Sequence, residues 1–125
     1  MVKAIISTLI AILIIIGASL LENAYLKDTF SEFERVVLAT YDKTEEKISV
    51  KEDVLTFQKL WIEKKRSLHI FIPHNDIKEI DLWIAEAVSL VENEEYEDAL
   101  SKLEVVLEMI EQIPKTYSLR IENIL

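Results

Sequence analysis

Residues 4–21 read AIISTLIAILIIIGASLL and contain no charged side chain between Lys3 and Glu22. As an α-helix this stretch is about 27 Å long, close to the roughly 30 Å of a bilayer's hydrocarbon core. A single segment in lipid satisfies its own backbone hydrogen bonds only as a helix. The sequence therefore predicts a transmembrane anchor (residues 1–21) that inserts residues 4–21 into the lipid bilayer, followed by a helical domain (residues 22–125).

Two other interpretations of this stretch stay open. A cleaved signal peptide needs small residues at its cleavage site, and Gly17-Ala18-Ser19 is a weak candidate for one. A buried core helix is the other, although eighteen unbroken apolar or small residues before a polar remainder disfavour it. Lys3 flanks the apolar stretch on its amino-terminal side, and Lys27 and Arg35 lie within fifteen residues on the other side. The positive charges therefore give almost no preference for one orientation of the helix in the membrane. The short, signal-like start favours a single-pass protein of the cell membrane with its domain extracytoplasmic.

The amino-acid composition of the chain indicates its structural class and limits its possible partners. The chain of 125 residues has one glycine, two prolines and no cysteine, which favours helices with short connections and excludes disulfides and thiolate chemistry. The net charge of −9 argues against nucleic acid and anionic lipid headgroups as partners. Residues 76–111 contain twelve acidic and two basic residues. We expect this part of the chain to present an acidic face.

Helical spacing of apolar residues recurs along the domain. Leu26, Phe30, Phe33, Val37 and Tyr41 predict a first helix. The absence of Gly and Pro from residue 20 to residue 44 leaves open whether the anchor and this helix are continuous. Residues 41–47 predict a turn.

Three further helices follow from the same kind of pattern. Ser49 and Glu52 match a capping box that opens the second helix. Pro73 predicts a turn, and the third helix is expected to begin at Asn75 or Asp76. The fourth helix is expected to break at Pro114, and the tail after it (residues 115–125) is expected to pack back on the bundle. The predicted fold is all-α, one transmembrane helix followed by a small antiparallel bundle of about four helices in two tandem hairpins.

The residues that could carry chemistry form no catalytic or metal-binding motif. The two histidines, His69 and His74, match no ligand spacing, so packing or capping roles are favoured over metal binding. No nucleophile with a partnered base is evident. Trp61 and Trp83 are predicted to be core anchors rather than ligand-stacking platforms. We therefore predict no enzymatic activity, no cofactor and no metal.

Several stretches together resemble one family. They are Trp61 with Lys64-Lys65, residues 71–74 (FIPH), residues 77–80 and the terminal residues 121–125 (IENIL). The chain resembles domain-of-unknown-function family 4363, small membrane-anchored helical proteins of spore-forming Gram-positive bacteria. The resemblance covers nearly the whole chain and implies no assigned activity but a membrane-protein partner. The resemblance also draws attention to four positions: Trp61, His74, Asn123 and Leu125. Of these, Asn123 could cap a helix end and His74 could hydrogen-bond the returning tail.

These observations lead to two functional hypotheses. The first is a non-enzymatic, membrane-anchored interaction module, an accessory subunit of an integral membrane protein, which uses the acidic face of residues 76–111 and the tail as contact surfaces. The alternative is a ligand-sensing or small-molecule-binding helical domain with a pocket between the hairpins near Trp61, Trp83 and His74. The oligomeric state is not determined by the sequence.

Overall fold

The protein is a four-helix bundle in which one helix extends far beyond the other three. The computed structural model describes the backbone of residues 1–124 and the side chains of residues 1–116. Within that range the chain forms only helices: α1 (Val2–Glu45), α2 (Lys51–Leu68), α3 (His74–Glu92) and α4 (Tyr96–Ile124). Helix α1 packs on α2 and α4, and α3 packs on the same two helices. This closed ring of two antiparallel hairpins confirms the predicted all-α fold.

The core is built from residues that recur every three or four positions on each helix. Such a repeat averages 3.5 residues, which keeps one seam of each helix facing its neighbours in a bundle of nearly parallel axes. In α1 the repeat begins at Leu26, so the bundle begins there. The buried seam residues are Leu26, Phe30, Phe33, Val37, Thr40 and Thr44 of α1, Val54, Phe57, Trp61 and Leu68 of α2, Ile77, Ile80, Ile84, Ala87 and Val91 of α3, and Ala99, Leu103, Val106, Ile110 and Ile113 of α4.

Helix α1 is unbroken over 44 residues, or about 66 Å. It is the one helix in the described part of the chain that is long and apolar enough to cross a membrane, and none of its most apolar 18-residue window is buried. A core helix would bury that window against the bundle. The core-helix interpretation is therefore wrong, whereas an anchor and a signal sequence both remain compatible with the helix.

The first turn lies later in the chain than predicted. Helix α1 continues to Glu45 because Thr40 and Thr44 extend its buried seam, although their hydroxyls make the sequence look polar. Each hydroxyl is satisfied by the carbonyl four residues before it, at 3.2 Å for Thr40 and 2.7 Å for Thr44. The turn between α1 and α2 consequently occupies residues 46–50.

The predicted capping box of Ser49 and Glu52 is wrong by one residue. Ser49 is buried, and its Oγ lies 2.9 Å from the Thr44 hydroxyl. Val50 occupies the N-cap position, and its N–H donates to the Asp53 carboxylate at 2.9 Å. Lys43 donates to the same carboxylate at 2.9 Å, which ties the end of α1 to the start of α2. The carboxylate three residues after the cap performs the predicted role, but Asp53 rather than Glu52 supplies it.

We expect Asp53→Asn to lower the free energy of unfolding by about 1 kcal/mol at pH 7. Partial burial raises the pKa of the Asp53 carboxyl, but the Val50 N–H and the Lys43 ammonium outweigh burial and hold the pKa below its ordinary value. This stabilisation is full above the ordinary pKa and is lost as the pH falls through the lowered one. Urea unfolding of the full-length protein in mild detergent should therefore show the variant and wild type converging as the pH is lowered from 7 through the depressed pKa of this carboxyl.

The matched control is Asp98→Asn, since Asp98 occupies the same third position of α4 but is exposed. Asp98→Asn should leave the free energy of unfolding at pH 7 close to that of wild type. An Asp53→Asn protein whose loss of stability stays the same from pH 7 to the acid end of the titration would contradict the ionic role of Asp53.

Both hairpin turns use a left-handed residue that is not glycine. Lys47 and Glu94 each have φ of 59°. In the first turn the Ile48 N–H reaches back to the Lys43 carbonyl at 2.9 Å, and in the second the Glu95 N–H reaches the Leu90 carbonyl at 2.8 Å. This six-to-one bond is the Schellman closure of a helix C-terminus, a position that normally favours glycine. The chain's single glycine lies in the apolar half of α1.

Replacing Lys47 with glycine should stabilise the protein. The left-handed conformation costs a residue with a Cβ atom about 1–2 kcal/mol, and part of that gain is returned through the greater freedom of glycine in the unfolded chain. We expect Lys47→Gly to raise the free energy of unfolding by about 1 kcal/mol in urea titrations. Lys47→Ala, which removes the same side chain but keeps Cβ, should give no such gain. Equal stabilisation by both variants would show that the side chain, not the backbone, is responsible.

Helix α4 does not break at Pro114, contrary to the prediction. Proline removes one backbone N–H and crowds the carbonyl four residues earlier. Two side-chain bonds span this point, from Lys115 to Glu111 at 3.1 Å and from the Thr116 hydroxyl to the Gln112 carbonyl at 2.9 Å. Packing of α4 on α1 also holds the segment, since Ile113 is buried. The predicted packing of the tail side chains lies outside the described residues.

Candidate functional site

Trp61 is the largest fully buried side chain of the bundle core. Its ring lies 5.3 Å from that of Phe33, and its Nε1–H donates to the Asp81 carboxylate at 2.6 Å. Lys65 Nζ lies 3.2 Å from the same carboxylate. Trp61 therefore joins α1, α2 and α3 from inside the core. Sequence reasoning missed Asp81, whose pairing depends on the register between α2 and α3.

Trp83 lies on the outer side of α3 and is half-buried. Lys102 Nζ lies 4.9 Å from the ring centroid, within cation–π range, and the same ammonium lies 3.3 Å from Glu86. Within the described part of the chain, the Trp83 Nε1–H is buried without a hydrogen-bond acceptor. Trp83 thus packs between α3 and α4 under a lysine side chain.

His74 is the first residue of α3, following Pro73 at the N-cap, so the helix begins one residue before the predicted range. Its exposed ring stacks on that of His69 with centroids 5.6 Å apart. Trp83 is nine residues further along α3, about 13 Å along the helix axis. His74 and Trp83 are therefore well separated along α3, and Trp61 is buried whereas His74 is exposed. The side chains of Asn123 and Leu125 lie outside the described residues.

A groove of about 570 Å³ lies between α1 and α4 at the end of the bundle nearest the apolar half of α1. Its floor is apolar, and charged side chains of both signs form its rim. The Asn23 amide oxygen is buried there and has no hydrogen-bond partner among the described residues. The lining residues are Asn23, Leu26, Lys27, Phe30, Ser31, Glu34, Ile110, Glu111, Pro114 and Lys115.

Some acidic side chains of α3 and α4 form ion pairs or hydrogen bonds with other helices of the bundle. Glu92 pairs with Lys51 at 2.9 Å, which raises the pKa of that lysine. Glu104 accepts a hydrogen bond from the Tyr41 hydroxyl at 2.9 Å, and this bond, with burial, raises the pKa of Tyr41. These contacts join α4 to α1 and α3 to α2. Part of the predicted acidic face therefore stabilises the bundle.

The histidine and carboxylate side chains do not converge as a metal site would require. Among the described residues, no group of three or more His, Asp or Glu side chains is placed to hold an ion. The groove between α1 and α4 is consequently the best-formed candidate site.

Comparison with known proteins gives one match. The family model described as a domain of unknown function (DUF4363) matches residues 21–124. The match begins at the end of the apolar stretch and covers the whole bundle. No curated protein and no solved structure matches the chain.

Proposed function

The chain belongs to the DUF4363 family, and on this premise we propose that it is a membrane-anchored, non-enzymatic interaction module, an accessory subunit of an integral membrane protein. The observation that carries the proposal is the unbroken helix α1. Its first half is apolar and unburied, and its second half is one wall of a filled bundle. A rigid helix of this kind fixes the bundle at a set height and orientation above a bilayer.

The groove between α1 and α4 supports a membrane protein as the partner. It begins at Asn23, two residues beyond the apolar stretch, and its floor is formed by Leu26, Phe30 and Ile110. A partner helix leaving the bilayer beside α1 would lie along this groove and bury its apolar floor. Helix-in-groove recognition of this type uses apolar anchors spaced three or four residues apart.

The alternative function, binding of a small ligand, has weaker support at the site first predicted for it. Trp61 fills the core and Trp83 lies under Lys102. His74, the first residue of α3, is exposed and stacks on His69. A ligand-binding role would instead have to use the α1–α4 groove.

Site-specific photo-crosslinking in native membranes tests the proposal. A photoreactive residue is placed at Ser31 on the groove or, as a matched control, at exposed Ser89 on α3. We expect the Ser31 site to crosslink to one integral membrane protein and the Ser89 site to give no such product. The variant Ser31→Trp places a large side chain in the groove, so it should no longer co-purify stoichiometrically with the membrane-protein partner in mild detergent. The variant Ser89→Trp should still co-purify with that partner.

Circular dichroism of both tryptophan variants controls for folding. Absence of any Ser31 crosslink in native membranes would contradict the accessory-subunit proposal. Crosslinking that is equal at Ser31 and Ser89 would contradict the groove as the contact surface.

A further inference from the structure

We propose that the turn between α2 and α3, residues 69–73, is a second membrane contact that lies in the headgroup layer and inserts the Ile70 side chain into the bilayer interface. The inference rests on the membrane anchor of the proposed function. It concerns a different surface from the groove, and its occupant is lipid rather than protein.

The position of the turn follows from the register of α1 and α2. Lys43 pairs with Asp53 at 2.9 Å, and Glu32 pairs with Lys64 at 3.2 Å further down the same two helices. The series ends at the rings of Tyr25 and Phe71, whose centroids are 5.8 Å apart. The turn is therefore level with Tyr25.

That level lies inside the headgroup layer of a bilayer spanned by residues 4–21. Tyr25 is four residues beyond Leu21, the last apolar residue of the stretch, which places it about 6 Å above that point along a straight helix. The headgroup region on each side of a bilayer is about 5–7 Å thick. The opposite end of the bundle, where α1 ends at Glu45, is about 36 Å above Leu21.

The side chains of the turn suit that layer. Ile70 is 78% exposed, more than any other large apolar side chain of the bundle among the described residues. The adjacent Phe71 packs against Tyr25, and a tyrosine, whose aromatic ring ends in a polar hydroxyl, favours the membrane interface. The stacked rings of His69 and His74 are likewise amphipathic.

Charge distribution points the same way. The chain carries a net charge of −9, yet residues 67–75 contain no carboxylate. Arg66, in the last turn of α2, flanks the segment with an exposed positive charge. A single exposed isoleucine is ordinary on a protein surface. An exposed isoleucine beside Phe71, in a segment without a carboxylate until Asp76 in the first turn of α3 and level with the headgroups, suits a lipid contact.

The chain has no cysteine, so a single reporter thiol can be introduced at one site at a time. Full-length Ile70→Cys, Ile48→Cys and Leu13→Cys proteins are labelled with an environment-sensitive fluorophore and reconstituted into phosphatidylcholine–phosphatidylglycerol vesicles. Lipids bearing a doxyl quencher near the headgroup are then added for Ile70 and Ile48, and lipids bearing it near the end of the acyl chain are added for Leu13, which lies at the middle of the bilayer. Ile48 is the matched control, because it is an exposed isoleucine (59%) in the turn at the far end of the bundle.

We expect quenching at Ile70 to exceed quenching at Ile48 by about twofold or more, as burial of 5–10 Å at the interface would give. Quenching at Leu13 together with equal, low quenching at Ile70 and Ile48 would overturn the membrane contact and leave the anchor intact. Absence of quenching at Leu13 would overturn both the anchor and the contact that depends on it. Because the vesicles contain no other protein, a contact made only with a protein partner would leave Ile70 unquenched.

Discussion

Replacing Trp61 with alanine should lower the free energy of unfolding by about 3–5 kcal/mol, the largest loss expected from one substitution in the bundle. The indole is 1% exposed and is the only side chain of the described core that both fills the centre and donates to a carboxylate, Asp81. Alanine would leave a large cavity and would also remove the donor from Asp81. Urea unfolding of the full-length protein in mild detergent, followed by circular dichroism, measures the effect.

Trp83→Ala is the matched control for this prediction. Trp83 is the same residue type, but it is half-buried and its Nε1–H has no acceptor among the described residues. Its removal should cost about 1 kcal/mol. A loss on Trp83→Ala as large as that on Trp61→Ala would show that the outer contact with Lys102, rather than the inner one with Asp81, stabilises the hairpin pair.

Placing arginine at Leu13 should remove most of the protein from the membrane fraction. A charged side chain at the centre of a membrane-spanning helix costs about 2.5–3.5 kcal/mol on insertion scales. Leu13 lies near the middle of the apolar stretch and is 67% exposed, so no part of the bundle would shield the charge. Resistance to carbonate extraction, with the protein detected by immunoblotting, measures the loss.

Leu38→Arg provides the control on the same helix. Leu38 is 42% exposed in the half of α1 that belongs to the bundle, so arginine there should leave membrane association unchanged. Full retention of Leu13→Arg in the carbonate-resistant fraction would contradict a membrane-spanning α1. If the mass of the intact wild-type protein were lower by the mass of the apolar residues, those residues would instead be a cleaved signal sequence.

Periodicity in the sequence was sufficient to predict the helices but not where they end. The apolar positions of α1, α3 and α4 anticipated most of the buried seam because burial in a bundle repeats every three or four residues. Thr40 and Thr44 broke the visible pattern, since a threonine whose hydroxyl bonds to its own helix can occupy a core position. The predicted turn was placed too early for that reason.

The candidate site was less predictable than the fold. Trp61 was correctly predicted to be a core anchor, but its partner Asp81 lies twenty residues away and is one of twelve acidic residues in residues 76–111. Nothing local distinguishes it from the other eleven. The groove between α1 and α4 likewise depends on how the first and last helices meet, which no sequence spacing encodes.

The sequence by itself determined the class of the protein: an uncharged stretch long enough to span a bilayer, and four helices whose apolar residues repeat at bundle spacing. These properties are local, because they depend on the hydrophobicity and helical period of adjacent residues. Only the tertiary structure decided that Asp53 caps α2, that α4 continues through Pro114, and that Phe71 reaches Tyr25. Each of these depends on the register between helices, which is set by packing of the whole core rather than by neighbours in the chain.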